Sequence, residues 1–244
     1  MERLSPRLVL ALIMDSDNTI TTDITTYLLS SVHDMKNSLG VMVATLEGLI
    51  SEVPPLPQKA RLPLARTLHE SQRLNDRLIQ LLSLYKINHG FYPFDPADHD
   101  VDEFVSEVIA QALPMAQAGN IVLISECPQG ISGFFDRELI FGIMLHALHN
   151  AIHYTHKQVC LAAQMHDGQL QLRIEDDGKG YPATMLDAPL SPEGEIDFCS
   201  GSTKLGIYFS SVAAQLHRHG ERKGSIRLEN GGRFGGSCFV LTLP

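Results

Sequence analysis

From Ile24 the apolar positions fall at Leu28, Val32, Met35, Leu39, Met42, Leu46 and Leu49. Steps of four and three mark an amphipathic helix with a seam for a partner helix. Thr22 or Asp23 can cap its start. The stretch "EVPPLP", Glu52 to Pro57, ends it, because proline cannot continue a helix. A second helix follows to about Ile87, with Leu64, Leu68, Leu74, Leu78, Leu81 and Tyr85 along one side. Pro63 either opens or kinks it. Two such helices joined by a short loop predict an antiparallel hairpin. A lone pair buries too little core, so the hairpin is expected to dimerise into a four-helix bundle.

"NHGFYPFDPADHD", Asn88 to Asp100, is rich in Pro, Gly and Asp and reads as a linker. Beyond it the period changes. A helix is expected over about Val101 to Met115, then a strand "IVLIS", then a helix over about Asp136 to Tyr154. "QVCLAAQ" and "QLQLRIED" read as a hairpin turning at Asp167 and Gly168. A helix from about Leu205 to His217 and the strands "SIRLEN" and "CFVLTL" complete the chain. The fold class is α+β: the helical hairpin, then a sandwich with a mixed sheet and three main helices.

Composition narrows the function. The 244 residues are 44% hydrophobic, enough for one large or two small domains. A formal charge of −9 argues against nucleic acid or an anionic membrane as partner. Cys127, Cys160, Cys199 and Cys238 are far apart in sequence, which points to reduced thiols and a cytoplasmic protein. The apolar run Leu8 to Met14 is far shorter than the roughly 20 residues a membrane helix needs. Acidic residues after it speak against a signal peptide. No membrane insertion is expected, and any stimulus must come from a separate sensory protein or segment. Residues 1–21 receive no role.

"SSVHDMKNSLG", Ser30 to Gly40, concentrates chemistry on the first helix. His33 lies beside the seam, not in it, and Asn37 sits one turn away on the same face. Asp34 adjoins. In isolation "HDMKN" reads as solvated helix surface. It also permits an exposed imidazole nucleophile with a neighbouring carboxylate to take its ring proton.

Four further stretches weigh on that choice: "LHNAIHYTH" on a helix, "IEDDGKGYP" at a strand end, "GSTKLGIYFS" entering a helix, and the closing "ENGGRFGGSCFVLTLP". Together they resemble the N, G1 and G2 boxes of the histidine kinase GHKL-type ATP-binding domain, in order and spacing. "HDMKNSL" then resembles the H box of the dimerisation and histidine phosphotransfer hairpin. The resemblance spans about Thr22 to Pro244. It divides the chain into the hairpin at 22–88, a linker at 89–99 and the catalytic ATP-binding domain at 100–244.

The resemblance implies ATP and Mg²⁺ as cofactors, with Asn150 offering an amide oxygen to the metal. Asp176 would accept a hydrogen bond from the adenine amino group, with Gly178 and Gly180 allowing close backbone approach. His153 and Tyr154 stand where the family often has a basic residue and an aromatic; phosphate or lid contact and ordinary packing are both open. In the second glycine box, Lys204, Leu205 and Gly206 lie at a helix start that can receive phosphate. Lys204 replaces a usual glycine, and either adds charge or obstructs. The lid, Met185 to Gly201, carries Phe198 as an aromatic candidate. Gyrase and mismatch-repair ATPases share the nucleotide fold, and many carry a glutamate four residues before the asparagine. His146 stands there instead, which disfavours a hydrolase or serine kinase.

The implied function is a soluble, homodimeric sensor kinase core. It would autophosphorylate on His33 with Asp34 as general base and exchange the phosphoryl group with a response-regulator receiver aspartate. Asn37 would orient water in a phosphatase reaction. The alternative is a degenerate kinase acting as a phosphotransfer or docking scaffold.

Overall fold

The computed structural model of the chain describes residues 30–50, 57–186 and 202–244. The expected start of the first helix at Thr22, residues 51–56 of the inter-helix loop, and lid residues 187–201 with Phe198 and Cys199 lie outside them.

Residues 30–50 form one helix, α1, and Gln58–Asn88 form α2. The pair runs antiparallel. Asp34, Met35, Ser38 and Leu39 line a groove with Leu74 and Leu78, while further along Ser71 donates to Met42 Sδ at 3.5 Å. Gln72 Nε2 donates to Glu47 Oε1 at 2.9 Å. α2 begins at Gln58, so Pro63 lies inside the helix and does not open it. Leu68 and Leu84 are buried, whereas Met35, Met42, Leu49, Leu74 and Leu81 of the expected seam are exposed in the single chain.

The second unit is a five-stranded mixed sheet in the order β2-β4-β5-β9-β8. Its strands are β2 (Val122–Glu126), β4 (Gln158–His166), β5 (Gln169–Asp176), β8 (Ser225–Asn230) and β9 (Ser237–Leu243). β2 runs parallel to β4; the other pairs are antiparallel. The helices α3 (Val101–Gly119), α4 (Arg137–Tyr154) and α6 (Ser202–Leu216) supply the other layer, with a short α5 at Ala183–Leu186. Phe104, Ile143, Leu148, Leu161, Leu172 and Leu241 fill the space between. On β5, Leu170, Leu172 and Ile174 alternate inward, as a sheet with one covered face requires.

Local chemistry sets the element boundaries. Asp100 caps α3 by accepting from the backbone N–H of Asp102 and Glu103. Asp136 caps α4 by accepting from Leu139 N. The β4–β5 turn has φ of 50° at Asp167 and 72° at Gly168, the left-handed pair that an Asp-Gly hairpin needs.

Two small pairings fall outside the sequence expectation. β1 (Ala97–Asp100) pairs antiparallel with β3 (Ser132–Phe135), so the domain's first strand begins inside the stretch read as linker. β6 (Arg218–His219) and β7 (Arg222–Lys223) form a minimal hairpin. The start of the domain is further fixed by Asp136, which accepts from Tyr92 Oη at 3.2 Å and from Asp95 N at 3.0 Å. Its own N–H donates to the buried His217 Nε2 at 2.9 Å, and His217 Nδ1 donates to Ala213 O. Burial lowers the His217 pKa and favours the neutral ring that this pairing demands.

Candidate functional site

A cavity of about 370 Å³ opens between α4, α6 and the end of β5. That volume lies in the range of small-molecule sites. Its walls include Asn150, Asp176, Gly180, Gly206 and Ser237, drawn from four separate sequence stretches.

Asp176 ends β5 and is 2% exposed. Its Oδ1 accepts from Gly178 N at 2.7 Å and from Ser237 N at 3.1 Å, and Ser237 Oγ donates to Oδ2. The carboxylate is thus braced from the turn after β5 and from the start of β9. Gly180 has φ of 78°, a left-handed backbone that favours glycine. The next residue is clasped by Asn230: Tyr181 N donates to Asn230 Oδ1 at 2.7 Å, and Asn230 Nδ2 returns a bond to Tyr181 O at 2.9 Å.

The adjacent acid does different work. Asp177 Oδ1 accepts from Thr155 Oγ1 and from the backbone N–H of His156 and Lys157, both at 2.9 Å. Desolvation would raise its pKa, but these donors outweigh it and hold the carboxyl well below the usual range. Asp177 ties β5 to the α4–β4 connection and does not line the cavity.

Asn150 stands on α4, and its Nδ2 lies 2.9 Å from His146 Nε2. His146 packs on the start of α6 so closely that a Cβ on Gly206 would sit 2.2 Å from Nε2. Gly206 therefore has no room for a side chain. Tyr154 and Met185 also reach the cavity. His153 does not: its ring stacks on His69 of α2, with centroids 4.1 Å apart. Gly178 and Leu205 are not in the cavity wall either; Gly178 serves Asp176, and Leu205 packs against the core. The side chain of Lys204 lies outside the described residues.

His33 stands on α1 with its side chain 60% exposed. Its Nδ1 lies 3.2 Å from Asn37 Nδ2 and 3.9 Å from Asp34 Oδ1. Nε2 takes part in neither contact. No residue of α1 lines the nucleotide-sized cavity. The α/β unit instead packs against α2, where Asp76 Oδ2 lies 3.0 Å from His149 Nδ1.

Sequence reasoning overlooked Ser237, Asn230 and Asp76. Ser237 and Asn230 are paired in register across β8 and β9, a long-range fact invisible in local pattern. Asp76 carried a signal: His69, Gln72 and Asp76 make one polar stripe of α2, and His146, His149 and His153 repeat the same spacing on α4.

Residues 135–244 match the family described as histidine kinase-, DNA gyrase B- and HSP90-like ATPases. The chain is 25% identical over 218 residues to the sensor-like histidine kinase SenX3 of Mycolicibacterium smegmatis, covering 87% of this chain and 55% of that protein. It is 24% identical over 217 residues to the sensor protein CitS of Halalkalibacterium halodurans, covering 88% of this chain and 36% of CitS. The chain thus spans about half of the one relative and a third of the other. Among solved structures, the Acinetobacter baumannii histidine kinase AdeS aligns over 86% of this chain and 96% of its own, with a TM-score of 0.55 and 16% identity. The catalytic domain of histidine kinase ThkA covers 62% of this chain and 95% of its own, with a TM-score of 0.51 and 20% identity. These structural likenesses concern the fold.

Proposed function

We propose that this chain, a histidine kinase catalytic core related to sensor kinases, binds ATP in the cavity beside Asp176 and phosphorylates its own His33. The observation that carries the reading is the cavity, which gathers Asp176, Gly180, Asn150 and Gly206 from the separate boxes. The donor set fits an adenine nucleotide. A buried carboxylate suits the adenine amino group, and an amide oxygen suits a hard cation on the phosphates. Mg²⁺, when bound, would neutralise phosphate charge, and Asn150 would hold it.

On α1, the chemistry asks for a lone pair on one ring nitrogen and a proton acceptor at the other. Asp34 Oδ1 faces Nδ1, and Nε2 takes part in neither contact of His33; the tautomer that attacks through Nε2 carries its proton on Nδ1 and requires the Asn37 amide to turn its oxygen, not its nitrogen, to Nδ1. As the Nε2–phosphorus bond forms, the bond from the γ-phosphorus to the ADP oxygen breaks, and Asp34 takes the Nδ1 proton. Because α1 contributes nothing to the cavity wall, transfer requires the ATP-binding domain to leave α2 or to reach His33 of a second subunit. The exposed seam of Met35, Met42, Leu74 and Leu81 supports a homodimer. The phosphoryl group would then exchange with a receiver aspartate of a response regulator in the cytoplasm, and in a separate phosphatase reaction Asn37 would orient the water that hydrolyses the receiver's aspartyl phosphate.

Incubation with γ-labelled ATP tests the reading. Acid-labile, base-stable label should appear on the wild type and be absent from His33→Gln. An unlabelled wild type would favour the scaffold alternative. Among the described residues no helix is long and apolar enough to cross a membrane.

A further inference from the structure

The crossing of α2 and α4 buries an unusual set of ionisable groups. Asp76 Oδ2 lies 3.0 Å from His149 Nδ1 and 4.0 Å from His146 Nδ1, with all three side chains 12–13% exposed. His69 and His153 stack beside them. The adjoining cleft is about 30 Å³, room for a water but not a ligand. Among the described residues no group of three or more His, Cys, Asp or Glu is arranged to hold a metal. The cluster therefore acts on what it touches.

What it touches is Asn150. Asp76 hydrogen-bonds His149, and at 4.0 Å from His146 Nδ1 its negative charge favours the His146 tautomer with the proton on that nearer nitrogen. Nε2 then carries a lone pair, which accepts from Asn150 Nδ2 at 2.9 Å. The amide nitrogen is thereby committed, and the amide oxygen is left as the atom for a cation. Desolvation would raise the Asp76 pKa, but the two histidine contacts outweigh it and keep the carboxyl well below the usual range, consistent with an ionised acceptor. Gly206 bounds the other side of the ring, since a Cβ there would strike the same Nε2.

We propose that Asp76 and His146 are positioning residues for the nucleotide site: the hairpin carboxylate sets the tautomer of His146, and His146 aims the Asn150 oxygen at the metal–phosphate end of the cavity. The inference rests on the nucleotide reading above. Its consequence crosses the domain boundary. Asp76 belongs to α2 and Asn150 to the ATP-binding domain, so docking of the domain on the hairpin and Mg²⁺-dependent nucleotide affinity are linked, each favouring the other.

The test is calorimetry of the 244-residue chain with a non-hydrolysable ATP analogue, in Mg²⁺ and in EDTA, alongside a thermal melt of each variant. His146→Leu, a change at the cavity wall, should weaken binding about tenfold in Mg²⁺, the usual lower range for loss of an outer-shell partner, and by far less in EDTA. His146→Gln, whose Oε1 can accept from Asn150, should retain most of the Mg²⁺ effect. Asp76→Asn should weaken Mg²⁺-dependent binding in the wild-type background and do nothing further beside His146→Gln. Equal loss in the Leu and Gln variants would reduce His146 to packing and overturn the proposal. So would an undiminished Mg²⁺ effect in His146→Leu, or an Asp76→Asn effect that persists beside Gln. If His146→Leu does not fold, the Asp76→Asn comparison in the two backgrounds decides. A wild type that binds no nucleotide in either condition overturns the nucleotide reading and this inference with it. Binding by the wild type with unchanged variants overturns this inference alone.

Discussion

Asp176 and Asp177 are identical in type and adjacent in sequence, yet their surroundings separate their roles. Asp176 accepts from Gly178 and Ser237 at the cavity wall. Asp176→Asn should weaken adenine nucleotide binding by about 1.5–3 kcal/mol, the value of a hydrogen bond to a charged group. Calorimetry reads that as an affinity roughly 10- to 100-fold lower. Asp177 accepts from Thr155 and the neighbouring backbone, so Asp177→Asn should lower the melting temperature. The sign with pH is fixed. A carboxyl whose folded pKa is depressed stabilises the fold above the ordinary carboxylate range near ~4, and loses that contribution as pH falls through its folded pKa. The gap between wild-type and Asp177→Asn melts should therefore be full at neutral pH and close in acid. The family resemblance picked out Asp176 from the motif, but nothing local in "DDGKG" tells the two acids apart. The distinction comes from Thr155 and Ser237, which lie 22 and 61 residues away from their acids. His146 was visible in the sequence as a missing glutamate. Its approach to Asp76 of α2 was not.

At the scale of elements, the strongly periodic segments were legible: α2, α3, α4, α6 and the β4–β5 hairpin with its Asp-Gly turn. β1 and β3 were not, because "ADHD" has no apolar alternation and lies mostly exposed; its strand character comes from pairing with β3. Asp136 shows what holds these elements together. It is 3% exposed, caps α4, and receives Tyr92 and Asp95 from the segment after α2. Asp136→Ala should cost about 2 kcal/mol or more, since loss of a cap alone costs up to ~2 kcal/mol. Urea denaturation should register it as an earlier midpoint. A midpoint equal to the wild type would remove Asp136 as the anchor of α4.

The whole molecule joins α1, which carries the proposed phosphoacceptor His33, to the α/β unit through α2. Val41 is 69% exposed and Met35, Met42, Leu74 and Leu81 are 45–49% exposed in the single chain. Light scattering of the intact chain at micromolar concentration should give a dimer, and Leu74→Glu should shift it toward monomer. A wild type that stays monomeric would remove the four-helix bundle from the account. The central claim is that His33 is chemically required yet structurally dispensable. Its 60% exposure places His33→Gln among substitutions that change stability by within ~0.5 kcal/mol. The most direct measurement follows label from γ-labelled ATP into wild type and His33→Gln, with a thermal melt of each. Acid-labile label should appear on the wild type and not on His33→Gln, and the melts should match. Equal labelling of both proteins would contradict it, and would leave His33 as no more than the surface of a helix.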